Sequence, residues 1–198
     1  MNTMSSRDKI LGAIRQNKPA AMPLPDQFTF RTEYPDLVAQ FGQVLQSIGG
    51  RAEVVPDLEA VKIKVQEHFG DLSTIAVTVP GLESLATFSL APVTDPHDLE
   101  HIELAIIPGQ LGVAENAAIW ISEKEMGHRV LPFITQHLAL VIRAETLVAN
   151  MHEAYQRIAP AATGFGTFLA GPSKTADIEQ SLVVGAHGAR SLIVYLIG

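Results

Sequence analysis

Apolar residues recur at helical spacing in several stretches of the chain. In residues 35–48 they stand three and four positions apart and are followed by two glycines. This pattern predicts an amphipathic helix with Pro35 in its first turn. The same spacing predicts further helices over residues 7–16, 58–69 and 145–158, and one helical turn over residues 130–135.

Shorter apolar runs, bounded by glycine, proline or polar residues, predict strands. They cover residues 52–55, 74–79, 104–107, 117–121, 137–142, 166–170 and 191–197. Strands that alternate with helices predict an α/β fold with a mostly parallel sheet covered by helices. Successive strands without a helix over residues 104–121 predict that the sheet is partly mixed.

The prolines at positions 19, 23 and 25 divide the chain into two parts. Residues 1–33 are expected to form an N-terminal helix followed by an extended arm. Residues 34–198 are expected to form a single α/β domain, since 198 residues are too few for two full-sized domains. The arm offers a surface for association, so a homodimer is a possible assembly.

The charge and the amino-acid composition exclude several classes of protein. A net charge of −7 argues against general binding to nucleic acid or to an anionic membrane, because both need a basic face. The chain has no cysteine, so it forms no disulfide and holds no thiolate-ligated iron–sulfur cluster. Charged residues near the N-terminus and the lack of a long apolar run predict a cytoplasmic protein.

The most polar stretch, residues 171–190, lies between two predicted strands. Gly171 and Pro172 would end the first strand and leave Ser173, Lys174 and Thr175 at its carboxyl edge. Backbone N–H groups, two hydroxyls and an ammonium there suit a carboxylate or phosphate ligand. Alternatively, Thr175 caps a helix whose first turn contains two acidic residues, Asp177 and Glu179.

The remaining candidate binding residues are two histidines, two arginines and a glycine. His187 is followed by Gly188, which lets a ligand approach the backbone closely, although the imidazole could equally bond a carbonyl. His137 opens a predicted strand and either projects into the cleft or caps that strand end. Arg129 and Arg190 suit a carboxylate or phosphate, or an internal ion pair with Asp177 or Glu179. The seven histidines show no metal-binding spacing, so no metal site is predicted.

The stretch from position 171, GPSKTADIEQSLVVGAHGARSLIVYLI, resembles the carboxyl-terminal signature of the lactate utilization protein C group, the LUD-domain proteins. Ala189 stands where that family has proline. Residues 129–141, RVLPFITQHLALV, resemble a second family pattern. At residues 114–119 the family reads Ala-Glu-Thr-Gly-Thr-Leu. Here Ala114 and Glu115 fit, whereas Asn116, Ala117 and Ala118 differ.

The resemblance implies a CoA-transferase-like fold, shared with ribose-phosphate isomerases, in which ligands bind at the carboxyl ends of the strands. Both residues 109–115 and residues 171–175 are expected at such ends. It further implies a non-redox subunit of a cytoplasmic L-lactate oxidation system. Such a subunit would bind a small anion and partner proteins that carry iron–sulfur clusters, with no cofactor of its own.

Two other functions fit the same residues. A stand-alone enzyme of the CoA-transferase or sugar-phosphate isomerase type would use Glu115 as base or nucleophile, together with Lys174 and His187. In that case Glu115 is catalytic, whereas the alternative interpretation, which the turn position favours, is a solvated turn residue. The third possibility is a catalytically silent anion sensor, whose affinity would depend on Lys174 and Arg190.

Overall fold

A computed structural model describes residues 5–23, 32–158, 164–176, 182–185 and 187–198. The chain divides into two compact units, residues 1–31 and residues 32–198. The first unit contains helix α1 (Ser6–Gln16), which begins at the N-cap Ser5 and buries none of its side chains. The predicted N-terminal helix is therefore confirmed. Ile10 and Ile14 are 60% and 59% exposed.

The second unit contains five more helices and eleven strands among its described residues. The helices are α2 (Leu37–Ser47), α3 (Leu58–Phe69), α4 (Glu123–Met126), α5 (Leu131–Ile134) and α6 (Met151–Arg157). The strands are β1 (Arg51–Val55), β2 (Ile75–Val77), β3 (Leu104–Pro108), β4 (Leu111–Val113), β5 (Ile119–Ser122), β6 (His137–Arg143), β7 (Leu147–Val148), β8 (Gly166–Leu169), β9 (Lys174–Ala176), β10 (Leu182–Val184) and β11 (Ser191–Ile197). Among the described residues, 3-10 turns cover Glu83–Leu85, Pro96–Leu99 and Ala144–Thr146.

Side-chain caps set the starts of the two long helices. The Asp36 carboxylate accepts hydrogen bonds from the backbone N–H groups of Val38 and Ala39, so α2 begins at Leu37. Pro35 therefore precedes the cap and does not lie in the first turn as predicted. Asp57 accepts from the N–H of Ala60 at 2.8 Å and opens α3 at the predicted residue.

The main sheet has five parallel strands in the order β1, β11, β6, β3, β2. A second sheet has the order β7, β4, β5, β8, with both parallel and antiparallel pairs. The chain passes from one sheet to the other at Gly109 and Gln110, whose N–H groups bond Val141 in β6 and Trp120 in β5. The prediction of a mostly parallel, partly mixed α/β fold is confirmed, whereas its relation to CoA transferases stays a prediction.

Alternating side chains of the main sheet fill two apolar cores. On one face, Leu138, Leu140 and Ile142 of β6 pack with α2 and with the second sheet. On the other face, Ala139 and Val141 pack with α3. A third core lies under α6 on the far side of the second sheet, around Trp120. The molecule is thus layered, and α2 shares the space between the two sheets.

One predicted helix was wrong in part, and the alternative of a helix capped by Thr175 was wrong. The helix predicted over residues 145–158 begins only at Met151, because Asn150 caps it and the preceding Leu147–Val148 pairs with β4. Thr175 caps no helix. It lies in β9, which pairs antiparallel with β10, with Thr175 opposite Val183. The two acidic residues expected in that helix, Asp177 and Glu179, lie outside the described residues.

Candidate functional site

Backbone hydrogen bonds close the signature stretch at Ser173 and attach it to the main sheet at Arg190. The N–H of Ser173 donates to the carbonyl of Ala189 at 2.8 Å, and its carbonyl accepts from the N–H of Gly185 at 3.0 Å. The N–H of Arg190 donates in turn to the carbonyl of Gln136 at 2.8 Å. Both ends of the stretch are therefore held at one place by backbone hydrogen bonds.

That place is the amino edge of the main sheet. His137 and Ser191, the first residues of β6 and β11, are paired there. Gly49, in the turn before β1, faces Pro172, so closely that an added Cβ would lie 3.6 Å from Pro172 Cγ. The prediction that residues 171–175 lie at the carboxyl ends of the parallel strands is wrong for this sheet. Those residues follow the end of β8, which belongs to the second sheet.

Three glycines of the stretch fit close contacts. Gly171 has a φ of +73°, and a Cβ there would lie 3.0 Å from the carbonyl oxygen of Ile48. Gly185 has a φ of +77° and packs on Arg190, whose Cγ would be 2.5 Å from an added Cβ. Gly188 packs against Ser173. A side chain at position 171, 185 or 188 would crowd Ile48, Arg190 or Ser173, respectively.

A cavity of about 280 Å³ lies beside this fastened stretch. Its wall is formed by apolar side chains of α5, β6 and β8, including Phe133, Leu138 and Phe168. Ser173, Lys174 and His187 supply its polar side chains, and Gly171 and Gly188 supply backbone. None of the described lining residues is acidic, so the electrostatic character of this lining is set by one lysine.

Lys174 bridges the cavity and the end of α2. Its Nζ donates a hydrogen bond to the backbone carbonyl of Ile48, the C-cap residue of that helix. An ammonium has three donors, so two of them remain for a ligand. This contact holds the Lys174 ammonium at the carboxyl end of α2, where a positive charge is stabilised by the helix dipole.

His137 does not line this cavity, although it lies at the same edge. Its ring lies on the opposite face of the sheet, with its centre 5.8 Å from that of Phe69, and its Nδ1 is 2.8 Å from the Ser191 hydroxyl. Burial, and secondarily the positive charge of Arg190, lower the pKa of His137, while the Glu103 carboxylate opposes the shift.

The two arginines lie apart from the cavity lining. Arg129 donates from Nε to Glu123 at 2.7 Å, and its guanidinium carbon stands 5.4 Å from the centre of the Phe165 ring. The Glu123 pKa is lowered chiefly by that hydrogen bond. Arg190 is exposed, with its stem against Gly185.

Glu115 lies in the turn between β4 and β5, outside the cavity lining. Its carboxylate accepts a hydrogen bond from the N–H of Met151 at 3.0 Å, at the start of α6. Asn116 accepts from the N–H of Ala118 through its side chain, and Ala117 has a φ of +56°. These contacts fit the alternative interpretation, in which Glu115 is a turn residue.

Two classes of feature are absent from the described ranges. Within them, no three or more acidic or histidine side chains are grouped so as to hold a metal ion. Likewise, no described helix has the length and apolar character needed to cross a membrane.

The sequence did not indicate the apolar half of the cavity. Phe133, Leu138 and Phe168 come from three separate elements and stood in the sequence as ordinary core positions. The Leu-Pro-Phe run of residues 131–133 was the available clue. It belongs to the second family-like pattern and contains two of the lining residues, Pro132 and Phe133.

Two known proteins similar to this chain share one name. Lactate utilization protein C of Shouchella clausii (strain KSM-K16) is 32% identical over 121 residues, covering 54% of this chain and 52% of that protein. A protein of the same name from Deinococcus radiodurans is 31% identical over 121 residues, 57% of each. The chain thus spans about half the length of the curated relatives that it matches.

A solved structure, described as a DUF162 family protein from Deinococcus radiodurans, shares the fold. The TM-score is 0.63 at 18% identity, covering 82% of this chain and 96% of that one. The sequence model of the LUD domain matches residues 96–197, just over half of the chain, including the cavity and the stretch that shapes it. The chain belongs to the LUD domain family.

Proposed function

We propose that this chain is a non-redox component of a cytoplasmic lactate utilization system, and that it binds a small carboxylate beside Lys174. The observation that carries the proposal is the cavity built by the LUD signature, with one cation and no acid among its described lining residues. Relatives named Lactate utilization protein C supply the metabolic context.

The chemistry of the lining supports a small anionic ligand. Lys174 and Ser173 line the cavity and carry an ammonium and a hydroxyl that can donate hydrogen bonds, and Phe133 and Phe168 supply apolar side chains. A carboxylate would accept hydrogen bonds from these donors, and a short carbon chain would pack against the apolar side chains. At about 280 Å³ the cavity lies at the lower end of the range for ligand pockets, roughly 300–1,000 Å³. That size favours a small metabolite over a dinucleotide.

The amino-acid composition supports a division of labour. A chain without cysteine cannot hold a thiolate-ligated iron–sulfur cluster, so the electrons of lactate oxidation would be carried elsewhere. We therefore expect partner proteins that hold such clusters, with this chain supplying the ligand site.

Ligand binding is tested by calorimetry of the full chain with L-lactate, pyruvate and inorganic phosphate as separate probes. Lys174→Gln removes the charge, and a hydrogen bond to a charged group is worth about 1.5–3 kcal/mol. The dissociation constant for lactate or pyruvate should rise roughly 10–100-fold. Lys124→Gln is the matched control, because Lys124 is an exposed lysine outside the cavity. Equal affinities of the two variants, or preference for phosphate alone, would contradict a carboxylate site.

The partner proposal is tested separately by anaerobic affinity purification of the tagged chain from its native cells. Brown material with cysteine-rich proteins is the expected result, and Lys174→Gln should leave it unchanged. A colourless product without cysteine-rich proteins would contradict the partner proposal while leaving the binding result intact. Turnover that is lost in Glu115→Gln would instead favour the enzyme alternative.

A further inference from the structure

Strand β1 forms an outer edge of the main sheet, and its backbone shows which groups point outward. The carbonyl of Val55 accepts from the N–H of Gly198, just beyond β11. In a parallel pair, every second residue bonds the same neighbour, so Arg51, Glu53 and Val55 face β11. The N–H and C=O groups of Ala52 and Val54 therefore point away from the sheet. Within the described ranges, no other backbone or side chain bonds them.

The opposite edge of the sheet is treated differently. In β2, the N–H of Ile75 donates to the Thr87 hydroxyl, and the Ile75 carbonyl accepts from the N–H groups of Thr87 and Phe88. The chain thus covers part of the β2 edge with its own loop. Proteins commonly cover or interrupt sheet edges, since an open edge pairs with other strands. Because the β1 edge is open while the opposite β2 edge is partly covered, a partner for β1 is expected.

The space beside β1 is large enough for another strand. A groove of about 670 Å³ runs between α2 and β1, lined by small and amide residues that include Gly42, Gln43 and Gln46. Val54 lines the groove and is 62% exposed, which is unusual for valine in a strand.

We propose that the occupant is β1 of a second copy of this chain, paired antiparallel about a twofold axis. When two identical strands pair about a twofold axis, hydrogen bonds form only between residues whose backbone groups point away from β11. Three registers satisfy this rule. They place Ala52 opposite Ala52 of the second copy, Ala52 opposite its Val54, or Val54 opposite its Val54.

The charges on β1 choose between these registers. With Ala52 opposite Ala52, Arg51 of each copy stands opposite Glu53 of the other. With Ala52 opposite Val54, the two Glu53 carboxylates stand directly opposite each other. With Val54 opposite Val54, each Glu53 stands opposite Val55 and gains no opposite charge. Opposite charges across a strand pair are stabilising and like charges are destabilising. Arg51 and Glu53 already form an ion pair within one chain at 2.6 Å, so the first register extends it into an alternating cluster of four charges.

The assembly is tested by light scattering of the full chain after size-exclusion chromatography. The wild-type chain should have twice the mass of one chain, and Val54→Lys should have the mass of one. Ile63→Lys is the matched control, since Ile63 is a β-branched residue with 59% exposure on α3, and it should stay dimeric. A monomeric wild-type chain, or a dimer that survives Val54→Lys, would overturn the proposal.

The register is tested by disulfide trapping, which is clean because the chain has no cysteine. Residues opposite each other in a bonded antiparallel pair have Cα atoms about 5.5 Å apart, within the range that disulfides span. Ala52→Cys should therefore form a covalent dimer under mild oxidation, and Glu53→Cys should not. Crosslinking of Glu53→Cys or Val54→Cys instead would overturn the register, and crosslinking of none of the three variants would overturn β1 pairing.

Discussion

The turn between β4 and β5 and the signature stretch are both polar segments, yet the fold uses their side chains differently. In the turn, the Glu115 carboxylate bonds the start of α6, and the Asn116 side chain bonds the backbone of Ala118. In the signature stretch, backbone groups of Ser173, Gly185 and Ala189 hold the structure. The side chains of Ser173 and His187 are left at a cavity.

This difference indicates which polar side chains are available for ligands. A side chain that satisfies the backbone nearby is part of the scaffold, whereas one fastened only through its backbone is free to meet a ligand. Lys174 is intermediate, because it bonds a carbonyl of the α2 C-cap and keeps donors for the cavity. The following predictions test this distinction, beginning with the largest effect.

The largest effect is expected from Gly171→Val, which would break the backbone fastening. The positive φ costs a side chain about 1–2 kcal/mol, and overpacking against Ile48 adds about 1–3 kcal/mol. We expect urea denaturation to show a loss of about 3 kcal/mol in the free energy of unfolding. Gly12→Ala is the control, since nothing lies within 4 Å of its added Cβ and alanine favours helix. If the valine variant were as stable as wild type, the fastening would not matter.

A smaller effect is expected from Glu115→Gln, which sharpens the contrast with Lys174→Gln. The amide keeps an acceptor for the Met151 N–H but loses the charge at the start of α6. Such a charge is worth about 0.3–1 kcal/mol, so denaturation should show a loss of about 0.5 kcal/mol. Calorimetry should show unchanged ligand affinity. A tenfold weaker affinity would place Glu115 in the site and remove the distinction.

His137 lies on the other face of the sheet, and its pKa makes stability depend on pH. Because burial and then Arg190 lower its pKa in the folded protein, the unfolded chain binds the proton more readily. His137 should therefore reduce stability as pH falls below about 6.5 toward the lower folded pKa, and His137→Gln should lose that dependence.

The same shift is measured directly by proton NMR titration. The His137 resonance, assigned by its loss in His137→Gln, should titrate below about 6.5. Arg190→Gln should move the midpoint upward, since it removes the second cause of the shift. A midpoint above 6.5 in the wild-type chain would disagree with this account of the edge.

The smallest effect is expected from Ala117→Gly in the first region. Glycine would relieve the positive φ, worth about 1–2 kcal/mol. It would also remove a buried methyl group, which costs about 0.8 kcal/mol. The higher conformational entropy of the unfolded chain would cost about 0.4–1 kcal/mol more. These changes nearly cancel, so denaturation should show a difference within about 0.5 kcal/mol. A clear gain would mean that the turn is strained.

The sequence predicted the elements whose causes are local. Asp57 and the apolar spacing placed α3 to the residue, and the β-branched run of residues 191–197 placed β11. It failed where pairing with distant strands decided the outcome. Leu147 and Val148 continue a helical pattern by themselves, but in the fold they pair with β4. Thr175 resembles a helix cap and instead lies in a hairpin with β10.

The candidate site shows the same division. The sequence predicted Ser173, Lys174 and His187 as binding residues, which the fold brings to one cavity. It gave no means of separating them from His137, on the opposite face, or from Arg129, which pairs with Glu123. A side chain one position along a strand changes face, and local sequence does not reveal which face holds the cavity.

The contact between Gly188 and Ser173 has a consequence for how relatives diverge. A Cβ at position 188 would lie 3.0 Å from Ser173 Cβ and 3.3 Å from its hydroxyl. The two positions share one space, so a relative with a larger residue at 188 should carry glycine at 173. In an alignment of LUD proteins these positions should covary, and a single exchange at either should be tolerated less well than the double exchange.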